Sequence, residues 1–322
     1  MAFHEIAVEP TAIQTLRDIQ LVLSLAGFGK GRLISNFPDR GPDMRERNGE
    51  NWAWRVVQSI KRFEVGKAAK VRELLIAERK KILPSKRKFE HSREWLDNAR
   101  AEHGNSPFGA IITENPALYD FECSLDGILL ETAPSCLRED QHVQSLPKLP
   151  EEFAQALMPM LRCAKELRFV DAFFMKRLDS GEIGLSAKHA KVVQEIARQM
   201  SAMGRIPQTL EFHLLERSDD PAKQLSDFAK AMEAHLPKSW NAKAFMWREN
   251  PGSRKFHARY VLTDLGGAGS EYGLDQGNSP GDETDLYLLT EPLRIQRVMD
   301  FSTAGTAFTL ASQPVVFVGI RG

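Results

Sequence analysis

Cysteine is scarce in this chain. Cys123, Cys136 and Cys163 are the only three in 322 residues, and no two form a C-x-x-C pair. That argues against a disulfide scaffold and for a reducing compartment. Long apolar runs are also missing. None approaches the roughly 18 residues a transmembrane helix needs, so no membrane span is expected. The opening "MAFHEIAVEP" lacks the basic-then-apolar pattern of a secretory signal, so a cytoplasmic protein is expected. Net charge is absent, with 43 Lys and Arg against 43 Asp and Glu, so no global field draws the chain to nucleic acid or to a membrane. His4, His91, His103, His142, His213 and His235 show no metal-ligand spacing such as H-E-x-x-H. "GFGKGR", residues 27–32, lacks the Ser or Thr and the preceding strand of a phosphate loop, and reads as a helix end and turn. No metal and no cofactor is therefore expected.

What is present divides in two. The first ~100 residues read as helical. "PTAIQTLRDIQLVLSLAG" has a Pro-Thr start and a Gly end, and "NWAWRVVQSIKRF" and "GKAAKVRELLIAERKKIL" follow after a Gly- and Pro-containing loop. Residues 61–100 carry thirteen Lys or Arg against six acids, a local charge of +7. Such a cluster suits phosphate contacts driven by counterion release, and equally suits a solvated helix face with Glu–Lys pairs. Lys80, Lys81, Lys86, Arg87 and Lys88 are its candidate nucleic-acid residues. Residues 104–150 are richer in Gly, Pro and Ser, with short strands expected at "GAIIT" and "GILLE". The boundary is placed near residue 150, giving a locally basic, mainly helical domain over 1–150 and an α/β domain over 151–322 with a mixed sheet flanked by helices. In the latter, "ELRFVDAFF", "TLEFHLLER", "NAKAFMWRE", "KFHARYVLTD", "TDLYLLTE" and "PVVFVGI" read as strands, between helical stretches such as "SAKHAKVVQEIARQMSAMG".

The chemistry concentrates in "KFHARYVLTD", which spaces His257, Arg259 and Asp264 as H-x-R-x4-D. Residues two apart on a strand face the same side, so His257 and Arg259 project together. An imidazole can attack phosphorus or carry a proton, and a guanidinium can clamp the non-bridging oxygens. The following Gly-rich "LGGAGSEYGLDQGNSPG" can bring backbone N–H groups close to an anion. Asp282, Glu283 and Asp285 then supply acids, one of which could orient His257. The alternative is a packed strand histidine. "KHAK" repeats the H-x-K spacing with His189 and Lys191, but on a helix those two point about 200° apart. Its matching aspartate position is Ile196, and the stretch reads as a surface helix. Trp247, which leads into the motif, reads as core or as a base-stacking platform.

H-x-R-x4-D resembles the H-x-K-x4-D motif of the phospholipase D superfamily, with Arg259 where lysine is usual. A preceding strand like "RFVDAFF", the Gly-rich turn and a later acid follow the same order. The turn departs from the family pattern and, with "YGLDQG", is closer to a degenerate branch that includes the phosphoinositide-binding C-terminal domains of MIT-domain proteins. The resemblance implies a phospholipase D-like sheet over residues 150–322 with His257 as nucleophile or acid, Arg259 as phosphate clamp and Asp285 as buttress. The expected substrate contacts are Asp264, Gly267, Gly269, Ser270 and Tyr272. It implies either metal-independent phosphodiester cleavage through a phosphohistidine or plain binding. Nucleic acid is favoured over a membrane as the ligand, because the basic helices lack an exposed apolar stripe. A non-catalytic module for lipid headgroups or a protein partner is the rival. One motif per chain implies a homodimer pairing two His257 side chains. By analogy with bacterial proteins of this kind, a role in antiphage defence or a mobile element, with a partner protein from the same operon, is expected.

Overall fold

A computed structural model describes residues 3–39, 51–85, 87–138, 143–178, 181–252, 254–257, 259–279 and 281–322. The chain separates into two units, Phe3–Gln141 and His142–Gly322.

The N-terminal unit carries a five-stranded sheet beside its helices. It contains β1 (His4–Val8), α1 (Leu16–Leu25), β2 (Arg32–Asn36), α2 (Trp52–Phe63), α3 (Ala68–Ala77), β3 (Ile82–Pro84), α4 (Trp95–Asn105), β4 (Ala110–Ile112), β5 (Glu122–Cys123) and α5 (Ser135–Arg138). The strands form one sheet of order β3-β2-β1-β4-β5, with every pairing parallel. Parallel strands covered on both faces do not alternate apolar with polar, so short runs such as "RLISN" carry no period-2 signal. The expected long helix ends at Ala77, and its tail "ILP" is β3. The expected strand "GILLE" is instead a 3₁₀ turn, Asp126–Leu129, with Leu129 and Leu130 exposed. α1, α2 and α3 are where the apolar periodicity puts them, whereas α4 and α5 carry no such expectation. Thr15 and Asp18 close a capping box on α1. On α2, Trp52, Val56 and Ile60 bury one stripe, and the Trp52 indole donates to the Val8 carbonyl at 2.6 Å.

The same unit resolves the basic cluster. Lys80 and Lys81 lie in the turn before β3, and Arg87 and Lys88 lie after it, so β3 separates them. Arg87 is a tie within the fold. Its guanidinium is 8% exposed, pairs with Glu5 at 2.8 Å, donates to the Ser106 carbonyl and lies over the Phe108 ring. Lys81 donates to the Leu23 carbonyl at 3.1 Å and pairs with Glu78 at 3.0 Å. Lys80 and Lys88 are exposed, and Lys86 lies outside the described residues. All three cysteines are free thiols, and burial pushes Cys123 up to about 12 and Cys136 up to about 11.

The C-terminal unit comprises β6 (Val143–Pro147), α6 (Pro150–Leu161), β7 (Glu166–Asp171), β8 (Met175–Arg177), β9 (Ile183–Leu185), α7 (Ala187–Ala202), β10 (Thr209–Leu215), α8 (Pro221–Glu233), β11 (Asn241–Glu249), β12 (Arg259–Thr263), β13 (Gly267–Ser270), β14 (Glu283–Leu288), α9 (Glu291–Asp300), β15 (Phe308–Leu310) and β16 (Val315–Val318). Its sheet runs β15-β11-β10-β7-β12-β13-β14-β6, with β16 also on β11. β7, β10 and β11 are parallel, joined by α7 and α8, and the remaining pairings are antiparallel. β6 belongs to this sheet, so the second unit begins at His142, a few residues ahead of the boundary expected near residue 150. "VQSLP" is a short, half-exposed edge strand whose Ser and Pro read as linker.

Both faces of this sheet are covered. On one, Phe169, Phe174 and Phe212 pack against each other and Phe228 of α8. On the other, Phe301 just after α9 closes over Trp247, Phe256 and His213. His213 is fully buried and stacks on Phe245. The Trp247 indole can only donate, and it reaches His213 Nδ1 at 3.0 Å, so the neutral ring carries its proton on Nε2. That nitrogen lies 3.4 Å from Glu211 Oε2, an ion-pair distance without the alignment of a hydrogen bond. Burial lowers the His213 pKa, partly countered by Glu211. Burial pushes Glu211 up, but His213 and Arg168 pull it further down, to about 2.

Both groups hold fewer protons folded than unfolded, so their contribution grows with pH. Stability is expected to fall as pH drops below the ordinary histidine value of 6.5, and again from 4.5 toward about 2 as Glu211 protonates. Urea midpoints from pH 7 to pH 3 measure this. Glu211→Gln should remove a part of the acid loss on the order of 1–3 kcal/mol below pH 4.5. Identical profiles for the two proteins would contradict it.

Candidate anion site at the sheet edge

Strand direction decides which side chains meet. The C-terminal ends of β7, β10 and β11, the N-terminal end of β12, the C-terminal end of β13 and the N-terminal end of β14 share one edge of the sheet. His257, Arg259, Ser270, Tyr272 and Asp285 are brought to that edge. Asp264 and Gly267 are at the opposite one. There Asp264 Oδ1 accepts the N–H groups of Lys165 at 2.9 Å and Glu166 at 3.2 Å, joining the end of β12 to the start of β7.

At the near edge Arg259 sits directly across from Asp171 on β7. Its guanidinium lies 4.9 Å from the centre of the exposed Phe173 ring, and Nη1 donates to the Glu271 carbonyl at 2.6 Å. Nε is buried without a hydrogen-bond partner, and Arg259 makes no ion pair among the described residues. Arg217, just beyond β10, lies over the same ring at 4.6 Å, with Nε donating to the Ala172 carbonyl at 2.9 Å. His257 precedes β12 and is exposed, and it is close enough to Glu249 to help lower that carboxylate.

Beneath this edge is a buried polar hub. Asp171 is 0% exposed. Its Oδ1 accepts the Phe173 N–H at 2.8 Å, and Oδ2 accepts the Leu274 N–H at 3.3 Å and meets His189 Nε2 at 3.2 Å. One carboxylate thus ties the Phe173 turn, the Gly-rich loop and α7. His189 is therefore buried, at 4%, and not on a surface face of the helix. It shares the apolar stripe of Val193, Ile196 and Met200, a spacing already visible in the sequence. Its Nδ1 is buried without a partner.

The loop residues have structural work. Ser270 is buried, donates to the Gly273 carbonyl at 2.7 Å and shares a hydrogen bond with Thr284 at 3.0 Å, closing the turn. A Cβ at Gly269 would lie 2.3 Å from the Tyr287 ring, and one at Gly267 would lie 3.0 Å from Leu262 and Leu289 carbons, so these glycines make room for packing. Gly273 has φ of 104°, which favours glycine. Lys148 secures the loop by pairing with Asp275 at 2.7 Å and donating to the Tyr272 carbonyl at 3.0 Å. Tyr272 is 64% exposed. Asp285 pairs across with Ser145 and, by strand alternation, faces the side of Tyr260 and Tyr287, away from Arg259. Trp247 is buried in the core. Among the described residues, no group of three or more His, Cys, Asp or Glu side chains is placed to hold a metal ion, and no helix is long and apolar enough to cross a membrane.

No family model matches the chain, and no curated protein does. Among solved structures, a polyphosphate kinase from Porphyromonas gingivalis aligns with a TM-score of 0.31 at 8% identity, over 51% of this chain and 26% of that one. TrmBL2, an archaeal chromatin protein described as showing a novel mode of DNA binding, aligns with a TM-score of 0.24 at 12% identity, over 50% of each chain. The chain thus spans about a quarter and a half of the lengths of these two proteins. Likenesses this slight carry no argument. The chain is a mixed α/β protein with one parallel and one mixed sheet flanked by helices.

Proposed function

We propose that the C-terminal unit is a phospholipase D-like domain that binds phosphodiesters, with nucleic acid the favoured ligand, at the edge where His257 and Arg259 emerge. The observation that carries this is the Arg259 guanidinium, whose Nε is buried without a partner and which forms no ion pair among the described residues. A partly buried cation without a carboxylate is costly, and an anionic ligand offsets that cost. Guanidinium geometry suits the oxygens of a phosphodiester.

Binding stands ahead of cleavage because, among the described residues, no hydrogen bond orients His257. Asp285 faces the other side of the sheet, and the buried Asp171 is occupied by His189. In the cleaving version, a His257 ring nitrogen bonds to phosphorus as the P–O bond to the leaving group breaks. The leaving oxygen takes a proton from a second imidazole, supplied by a second copy of the chain, and water then hydrolyses the phosphohistidine. Turnover of DNA, RNA and a simple phosphodiester, with chelator present, separates the versions. The expected result is binding that survives in His257→Ala with turnover in neither protein. Turnover lost in His257→Ala would establish the cleaving version. Turnover indifferent to His257 would remove that residue from the site.

A further inference from the structure

We propose that Arg217 is the second arm of a two-guanidinium clamp, built with Arg259 on the Phe173 ring, that holds the backbone of a single-stranded nucleic acid. This rests on the phosphodiester-binding reading above.

Both guanidiniums lie within 5 Å of one ring centre, so no more than about 10 Å separates them. Two like charges this close repel; the buried Asp171 attracts Arg217 through space, but neither guanidinium forms an ion pair among the described residues. Glu216 is bidentate to Arg248 at 2.6 and 2.7 Å, Glu249 pairs with Lys255 at 2.8 Å, and both Asp171 oxygens are in use. Each arginine is nonetheless held in place by one backbone acceptor, Ala172 for Arg217 and Glu271 for Arg259. The terminal nitrogens of Arg217 have no protein partner among the described residues, and its side chain is exposed. Preorganised cations with spare donors and no ion pair of their own fit an anion with more than one charge.

The platform selects the strand state. Phe173 is 36% exposed and stands on a turn at the end of β7. The outer face of a guanidinium that lies on an aromatic ring can stack on an unpaired base, whereas a base inside a duplex presents no free face. Arg217 lies outside the H-x-R-x4-D spacing, and only the placing of β7 between β10 and β12 brings it to Arg259.

Fluorescence anisotropy with a ten-nucleotide oligothymidylate and a duplex of equal length, across a salt series, tests the clamp. The wild type is expected to prefer the single strand. Arg217→Ala should weaken its binding roughly tenfold and flatten the logarithmic salt slope by about 0.7, one phosphate contact on a single strand. Arg217→Lys should keep the slope but recover only part of the affinity, since lysine lacks the planar fork. Melting temperatures near wild type will show that the fold is intact, as expected for an exposed side chain. Wild-type affinity and slope in Arg217→Ala, with binding lost in Arg259→Ala, would overturn the clamp alone. Equal or tighter binding of the duplex would overturn the single-strand assignment. No binding by the wild type, or no change in either arginine variant, would overturn the clamp and the phosphodiester reading together.

Discussion

Arg259→Ala is expected to weaken single-stranded oligonucleotide binding ten- to hundredfold and to leave the urea midpoint of unfolding at or above the wild-type value. A charged hydrogen bond to phosphate contributes about 1.5–3 kcal/mol, which sets that range. Stability should not suffer, because the guanidinium has no ion pair to lose and its removal relieves repulsion with Arg217. Anisotropy and urea titration on the same preparation check both halves. A lowered midpoint with unchanged binding would make Arg259 a packing residue on Phe173 and nothing more.

Asp171→Ala should produce the largest loss of stability, roughly 3–5 kcal/mol. Truncation leaves the Phe173 and Leu274 N–H groups and His189 Nε2 without their acceptor inside the protein. It also frees the turn that carries Phe173, so binding should fall even where the protein remains folded. Asp171→Asn should be milder, because its amide oxygen can still accept one of the N–H groups. Urea midpoints for the two variants measure the difference. A midpoint for Asp171→Ala within 1 kcal/mol of wild type would mean the hub is not load-sharing, and His189 would then be a core histidine without further consequence.

Much of the C-terminal sheet was legible because its strands are long apolar runs bounded by turn residues. "TLEFHLLER" and "NAKAFMWRE" became β10 and β11 almost residue for residue. "KFHARYVLTD" was read as one strand, yet pairing starts only at Arg259, leaving His257 outside it. Of the N-terminal strands only β4, within "GAIIT", is marked in the sequence; the others are short, parallel and covered on both faces, so neither length nor alternation marks them. The helical pattern and the divergence of His189 from Lys191 point to a surface helix, although the spacing of His189 to Val193, Ile196 and Met200 places it on the buried stripe. The resemblance implies Asp285 as buttress, and strand alternation turns it to the other face. Arg217 and Phe173 could not be paired from the sequence at all. Their meeting depends on sheet order, which short-range pattern does not encode.

The central claim is that this edge receives a phosphodiester through its arginines, and side-chain NMR tests it most directly. The Nε–Hε resonances of Arg259 and Arg217 are followed while the oligothymidylate is added, with assignments from the two alanine variants. The expected result is that both move together and saturate with the binding curve. Saturable binding that leaves both resonances in place, while signals elsewhere shift, would contradict the account.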